Sequence, residues 1–106
     1  MAELIENKNE KVTVVAVLQA IKGKEEELER ELIALVPATR QEPGCINYGL
    51  HRSSEDPTVY MFYENWVNKK ALDQHLEMPY LKEFSKKADR LLKKPIELSL
   101  YRKISD

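Results

Sequence analysis

The residues Val12-Thr13-Val14-Val15-Ala16-Val17-Leu18-Gln19-Ala20-Ile21 form an unbroken β-branched and apolar run. Such a run reads as a strand. Both of its alternating sets are largely apolar, with Val12, Val14, Ala16 and Leu18 on one side and Val15, Val17 and Ile21 on the other. A strand of a sheet with one wet face carries polar residues at every second place. This one asks for cover on both faces. A chain of 106 residues with two helical regions can coat one of them, so a second copy of the chain is expected over the other.

The remaining elements fall around this strand. Residues 1–10 are polar and acidic and are expected to be a flexible arm, leaving 11–104 as one domain. Gly23 ends the strand, and Lys24 to about Thr39 reads as a helix with Leu28, Leu32, Leu35, Val36 and Thr39 in one stripe. Pro37 within it predicts a kink or early fraying. Glu42-Pro43-Gly44 is a turn. Strands follow at about 45–52 and 58–66, joined by Ser53-Ser54-Glu55-Asp56-Pro57. Asn68 is placed to cap a helix in which Ala71, Leu72, His75 and Leu76 share a face. Pro79 opens a further helical segment, whose stripe is Leu81, Phe84, Ala88, Leu91 and Leu92. After Pro95, alternation over Ile96–Ile104 gives a last strand. The order β-α-β-β-α-β predicts an α+β, ferredoxin-like fold with a four-stranded antiparallel sheet.

Composition removes several functions. Lys plus Arg number 17 and Asp plus Glu 18, a formal charge of −1, which gives no general attraction to nucleic acid or anionic membrane. No run approaches the ~18 apolar residues of a membrane span. Cys45 is the single cysteine, so neither an internal disulfide nor a Cys-rich metal site is expected. With no apolar leader stretch, a reduced, cytoplasmic location fits. There is no Gly-rich phosphate loop, and His51 and His75 lie in different elements with nothing to complete a metal site. No cofactor or metal is therefore expected.

What remains is a concentration of aromatic and weakly ionisable groups. Alternation puts Tyr60, Phe62, Glu64 and Trp66 on one face of the third strand, and His75 sits on the apolar face of the next helix. If that helix covers the Trp66 side, an indole, a carboxylate and an imidazole converge on an apolar cleft, with Tyr48 nearby. Apolar walls with a few placed polar groups suit a flat organic molecule. The imidazole is a base for a phenol or enol proton. Inward-facing Glu64 needs a partner, because a buried carboxylate costs several kcal/mol unpaired; Arg102 and His75 are the candidates.

Glu42-Pro43-Gly44-Cys45 followed by Tyr48, then Glu64-x-Trp66, then Ala71-x-x-x-His75, resembles the antibiotic biosynthesis monooxygenase domain family over roughly residues 11–104. The resemblance implies a ferredoxin-like chain that pairs through its sheets into a dimeric α+β barrel, in keeping with the two-sided first strand. It also implies a small quinol or anthrone monooxygenase that uses no metal, flavin or other prosthetic group. Trp66 and His75 match the strand-end Trp and helical His of the family's pocket, and Glu64 and Tyr48 match recurrent positions of less uniform role. Haem-degrading relatives carry an Asn on the first strand where this chain has Ala16, which disfavours that reaction.

The expected reaction is oxidation of an electron-rich aromatic by O2, with His75, Trp66 and Glu64 as catalytic residues and Tyr48, Phe62 and Tyr60 as substrate-binding ones. In that reading His75 takes a hydroxyl proton, Glu64 holds the imidazole, and Trp66 and Phe62 are flat walls. Two alternatives share the scaffold: an isomerase of a small carbonyl or phosphorylated-sugar compound, with Arg52, Lys69 and Lys70 as candidate cations at the mouth, and a non-catalytic dimeric binding protein.

Overall fold

The computed structural model of the protein describes residues 10–105. All but Glu10 of the expected N-terminal arm lies outside the described residues. The elements are β1 (Val12–Gln19), α1 (Glu25–Arg40), β2 (Cys45–Arg52), β3 (Val59–Trp66), α2 (Lys69–Leu76), α3 (Pro79–Leu91) and β4 (Glu97–Tyr101). The strands form one antiparallel sheet in the order β2-β3-β1-β4, the ferredoxin-like arrangement. The second helical region is two helices. Asn68 caps α2 by accepting from the Ala71 amide at 2.8 Å, and Pro79 starts α3, where its missing N–H costs nothing.

Helix α1 runs through Pro37 to Arg40 instead of fraying. Pro37 removes one bond to the Ile33 carbonyl, but both residues are exposed, so water can satisfy that oxygen. Leu28, Leu32, Leu35 and Thr39 are the buried stripe of the helix.

The sheet's two faces differ as its central strand requires. Val14, Ala16 and Leu18 of β1 and Tyr60, Phe62, Glu64 and Trp66 of β3 are buried beneath the helices. The opposite face carries Val15 and Val17, half-buried, with Tyr63 and Tyr101 exposed beside them. Strand β4 is exposed along its whole length. Its Leu98 and Leu100 pair with Ala16 and Val14, so they belong to the inner face where the helical layer stops short of the sheet edge.

Two local features aim residues at the space under the helices. The β2–β3 register shifts between Cys45 and Asn47, so Ile46 is extra and Tyr48 comes opposite Glu64; a bulge of this kind re-aims the side chains that follow it. Gly44 has φ +90°, and a Cβ there would lie 2.6 Å from Ala71 Cβ and 3.0 Å from Val67 Cγ2. Only glycine lets the Glu42–Gly44 turn lie this close to α2. The Val67 amide donates to the Gly44 carbonyl at 2.9 Å and fixes the approach.

Candidate active site

Between the inner face of the sheet and the helices lies a cavity of about 150 Å³. Ala16, the smallest inward residue of the β1 run, sits opposite Phe62 on its floor. Leu18, Leu32, Phe62 and Phe84 make apolar wall, and Tyr48, Glu64 and His75 supply the polar groups. Ile96 and Leu98 border it at the open β4 edge.

His75 is 2% exposed. Its Nδ1 lies 2.8 Å from Glu42 Oε2, and the Glu42 side chain is only 7% exposed. The Tyr80 hydroxyl donates to the same oxygen. Burial, with the Glu42 carboxylate second, pushes the Tyr80 phenol up to about 12, so Tyr80 keeps its proton and stays a donor. A carboxylate accepts only, so this network assigns the ring proton to Nδ1 and leaves Nε2 as the basic nitrogen. Nε2 has no hydrogen-bond partner among the described residues, and the ring lines the cavity.

Glu64 is otherwise engaged. Its Oε1 accepts from Trp66 Nε1 at 2.9 Å, a buried bond. Burial raises its carboxyl above the ordinary range, opposed by the Trp66 bond and by His75. The expectation that Glu64 holds the imidazole is therefore corrected: Glu42 occupies Nδ1. Nor does Arg102 reach Glu64; it pairs with Glu10, since β1 stands between β3 and the end of β4.

Trp66 does not line the cavity; its ring lies against the imidazole, with centroids 4.6 Å apart and planes at 34°. Tyr48 stacks on Phe62 at 4.6 Å and meets His75 edge-on at 5.5 Å. Burial, then Glu64, holds the Tyr48 phenol far above its usual range. Five of the six residues singled out by sequence thus gather in one place. Tyr60 does not join them. It is the second residue of β3, six residues from Trp66 and so about 20 Å along the strand, and its hydroxyl donates to Glu29 Oε1 at 3.0 Å. None of the candidate cations Arg52, Lys69 and Lys70 lines this cavity; Arg52 pairs with Glu29, and Lys69 with Asp73. Glu42 and Tyr80 escape sequence reasoning; the only signal for Glu42 was its place in the turn motif.

The family model for antibiotic biosynthesis monooxygenases matches residues 11–87. An uncharacterized protein of Synechocystis sp. is 31% identical over 102 residues, 96% of this chain and 69% of its own length. Rv0793 of Mycobacterium tuberculosis, named as a proposed monooxygenase, is 29% identical over 69 residues, 65% of this chain and 67% of its own. The crystal structure of PA3566 from Pseudomonas aeruginosa has a TM-score of 0.87 at 30% identity, over 93% of this chain and 99% of that one. Among the described residues no helix is long and apolar enough to cross a membrane.

Proposed function

Because the chain belongs to the antibiotic biosynthesis monooxygenase family, we propose that it oxidises a small electron-rich aromatic substrate, quinol or anthrone-like, with O2 and without a cofactor. The observation that carries this reading is the His75–Glu42 pair. It leaves Nε2 as the basic nitrogen of a ring that lines an apolar cavity, and in this reading the substrate hydroxyl sits against that nitrogen.

The reaction runs in balanced steps. His75 Nε2 takes the hydroxyl proton, and the Glu42 carboxylate stabilises the imidazolium, as the acid of a catalytic triad does. The substrate anion gives one electron to O2, leaving a radical beside superoxide. The pair joins through a new C–O bond to give a peroxide anion, which the imidazolium protonates. The O–O bond then breaks as the neutral His75 takes the proton of the adjacent C–H bond, leaving a quinone carbonyl, and the departing oxygen is protonated to water; the proton on His75 restores the acid. All four electrons that reduce O2 come from the substrate, two in forming the peroxide and two as the C–H bond is lost, so it is the only reductant the reaction needs. Glu64, whose carboxyl holds its proton more tightly than usual, is the acid for the departing oxygen.

The working form in this reading is a homodimer joined through the outer sheet face. Val15 and Val17 with exposed Tyr63 and Tyr101 make an apolar patch of the kind that marks an interaction site. An oxygen electrode tests the reaction on a panel of quinols, phenols and anthrones: one O2 consumed per quinone formed is expected, and no O2 uptake with any of them would overturn it.

A further inference from the structure

The cavity's size and charge narrow the substrate, given the monooxygenase reading on which this inference rests. A cavity of roughly 150 Å³ lined by Leu, Ile and Phe is the size that holds benzene, whereas pockets for larger organic ligands run to about 300–1,000 Å³. The space here is also about 150 Å³. A single ring fits. Three fused rings exceed it and would have to extend past Ile96 and Leu98 at the open edge.

The walls also carry a polarity gradient. Glu64 pairs with Val14 and with Tyr48, Phe62 with Ala16, and Tyr60 with Leu18. The polar groups therefore stand at the Trp66 end of the sheet, and Leu18 lies further along toward the Tyr60 end. A ring with its hydroxyl at His75 Nε2 extends over Ala16 toward Leu18, Leu32 and Phe84.

Charge sets the third limit. Among the described residues no Lys or Arg lines the cavity. A carboxylate or phosphate brought into it would find no cation to offset its loss of water, a cost of several kcal/mol. We propose that the substrate is a neutral, single-ring phenol, held with its hydroxyl at His75 and its ring on Ala16. Carboxylated phenols and phosphorylated compounds bind more weakly for want of a cation, and fused polycycles because they outgrow the enclosed space.

Quenching of the emission of Trp66, the single tryptophan, measured without O2, reports binding at this site. The probes are hydroquinone, 4-hydroxybenzoate, 1-naphthol and anthrone. Hydroquinone is expected to bind saturably, with 4-hydroxybenzoate and anthrone about tenfold weaker or worse. Ala16→Leu fills the floor and should abolish hydroquinone binding; Ala16→Val is the milder substitute should the larger side chain unfold the protein. Leu81→Ala, in a half-buried lining residue, should instead improve 1-naphthol binding. Anthrone or 4-hydroxybenzoate binding as tightly as hydroquinone, no binding by hydroquinone, or indifference of hydroquinone to Ala16→Leu would each overturn the proposal. The two readings fail separately. Hydroquinone binding without O2 uptake removes the monooxygenase and keeps the site, while O2 uptake with anthrone alone removes the single-ring limit and keeps the monooxygenase.

Discussion

His75 Nδ1 lies 2.8 Å from the carboxylate of Glu42, 33 residues upstream in a turn. That contact fixes the tautomer of a ring that lines the cavity. Glu42→Gln keeps the shape and can still accept, but it removes the charge that stabilises the imidazolium. We expect kcat to fall about 10–100-fold with little change in KM, as for outer groups that orient a histidine. Steady-state O2 uptake on protein with an unchanged circular dichroism spectrum checks this.

Gly44 holds that turn against α2. Gly44→Ala meets both a positive φ and a Cβ contact of 2.6 Å with Ala71. The expected loss is about 1–3 kcal/mol of stability, read by urea unfolding. Activity should fall further than the folded fraction, because the displaced turn carries Glu42 away from His75.

Glu64 predicts a pH signature. Burial raises its carboxyl in the folded chain, so the folded state binds this proton more tightly than the unfolded state does. Stability from this group is full below the ordinary carboxylate pKa and is lost as pH rises through the folded value. Glu64→Gln removes the titration and can keep an acceptor for Trp66 Nε1. Its melting temperature relative to the parent should rise as pH rises above the ordinary carboxylate pKa and level off once the folded carboxyl has ionised. A constant difference between the two melting curves would contradict the burial account.

The outer sheet face predicts the assembly. The parent should scatter light as twice the chain mass of 12.4 kDa, and Val17→Asp, which puts a charge in the middle of that face, should shift it to the mass of one chain. A parent at the single-chain mass at micromolar concentration would contradict the homodimer.

Legibility in the sequence followed the range of the interactions. Period-two alternation on β3 and the apolar stripe of α2 are local, and they put Phe62, Glu64, Trp66 and His75 on facing surfaces. The Asn68 cap and Pro79 start are local too. Alternation gives a face but no position along it, which is why Tyr60 faces inward yet stands at the wrong end of the strand. The partner of His75 is set by a turn, a left-handed glycine and the packing of Val67 and Ala71 against it. None of these has a period, so Glu42 was legible as a turn residue only. The Ile46 bulge, which turns Tyr48 inward, likewise leaves no mark in the residue pattern.

The central claim is that Nε2 of His75 takes the substrate's proton, and chemical rescue tests it most directly. His75→Ala removes the base and opens a space beside Trp66 and Glu42. The account predicts that this variant, still folded and dimeric, loses O2 uptake with an electron-rich phenol and regains part of it on addition of imidazole. O2 uptake at the parent rate by His75→Ala without imidazole would contradict it.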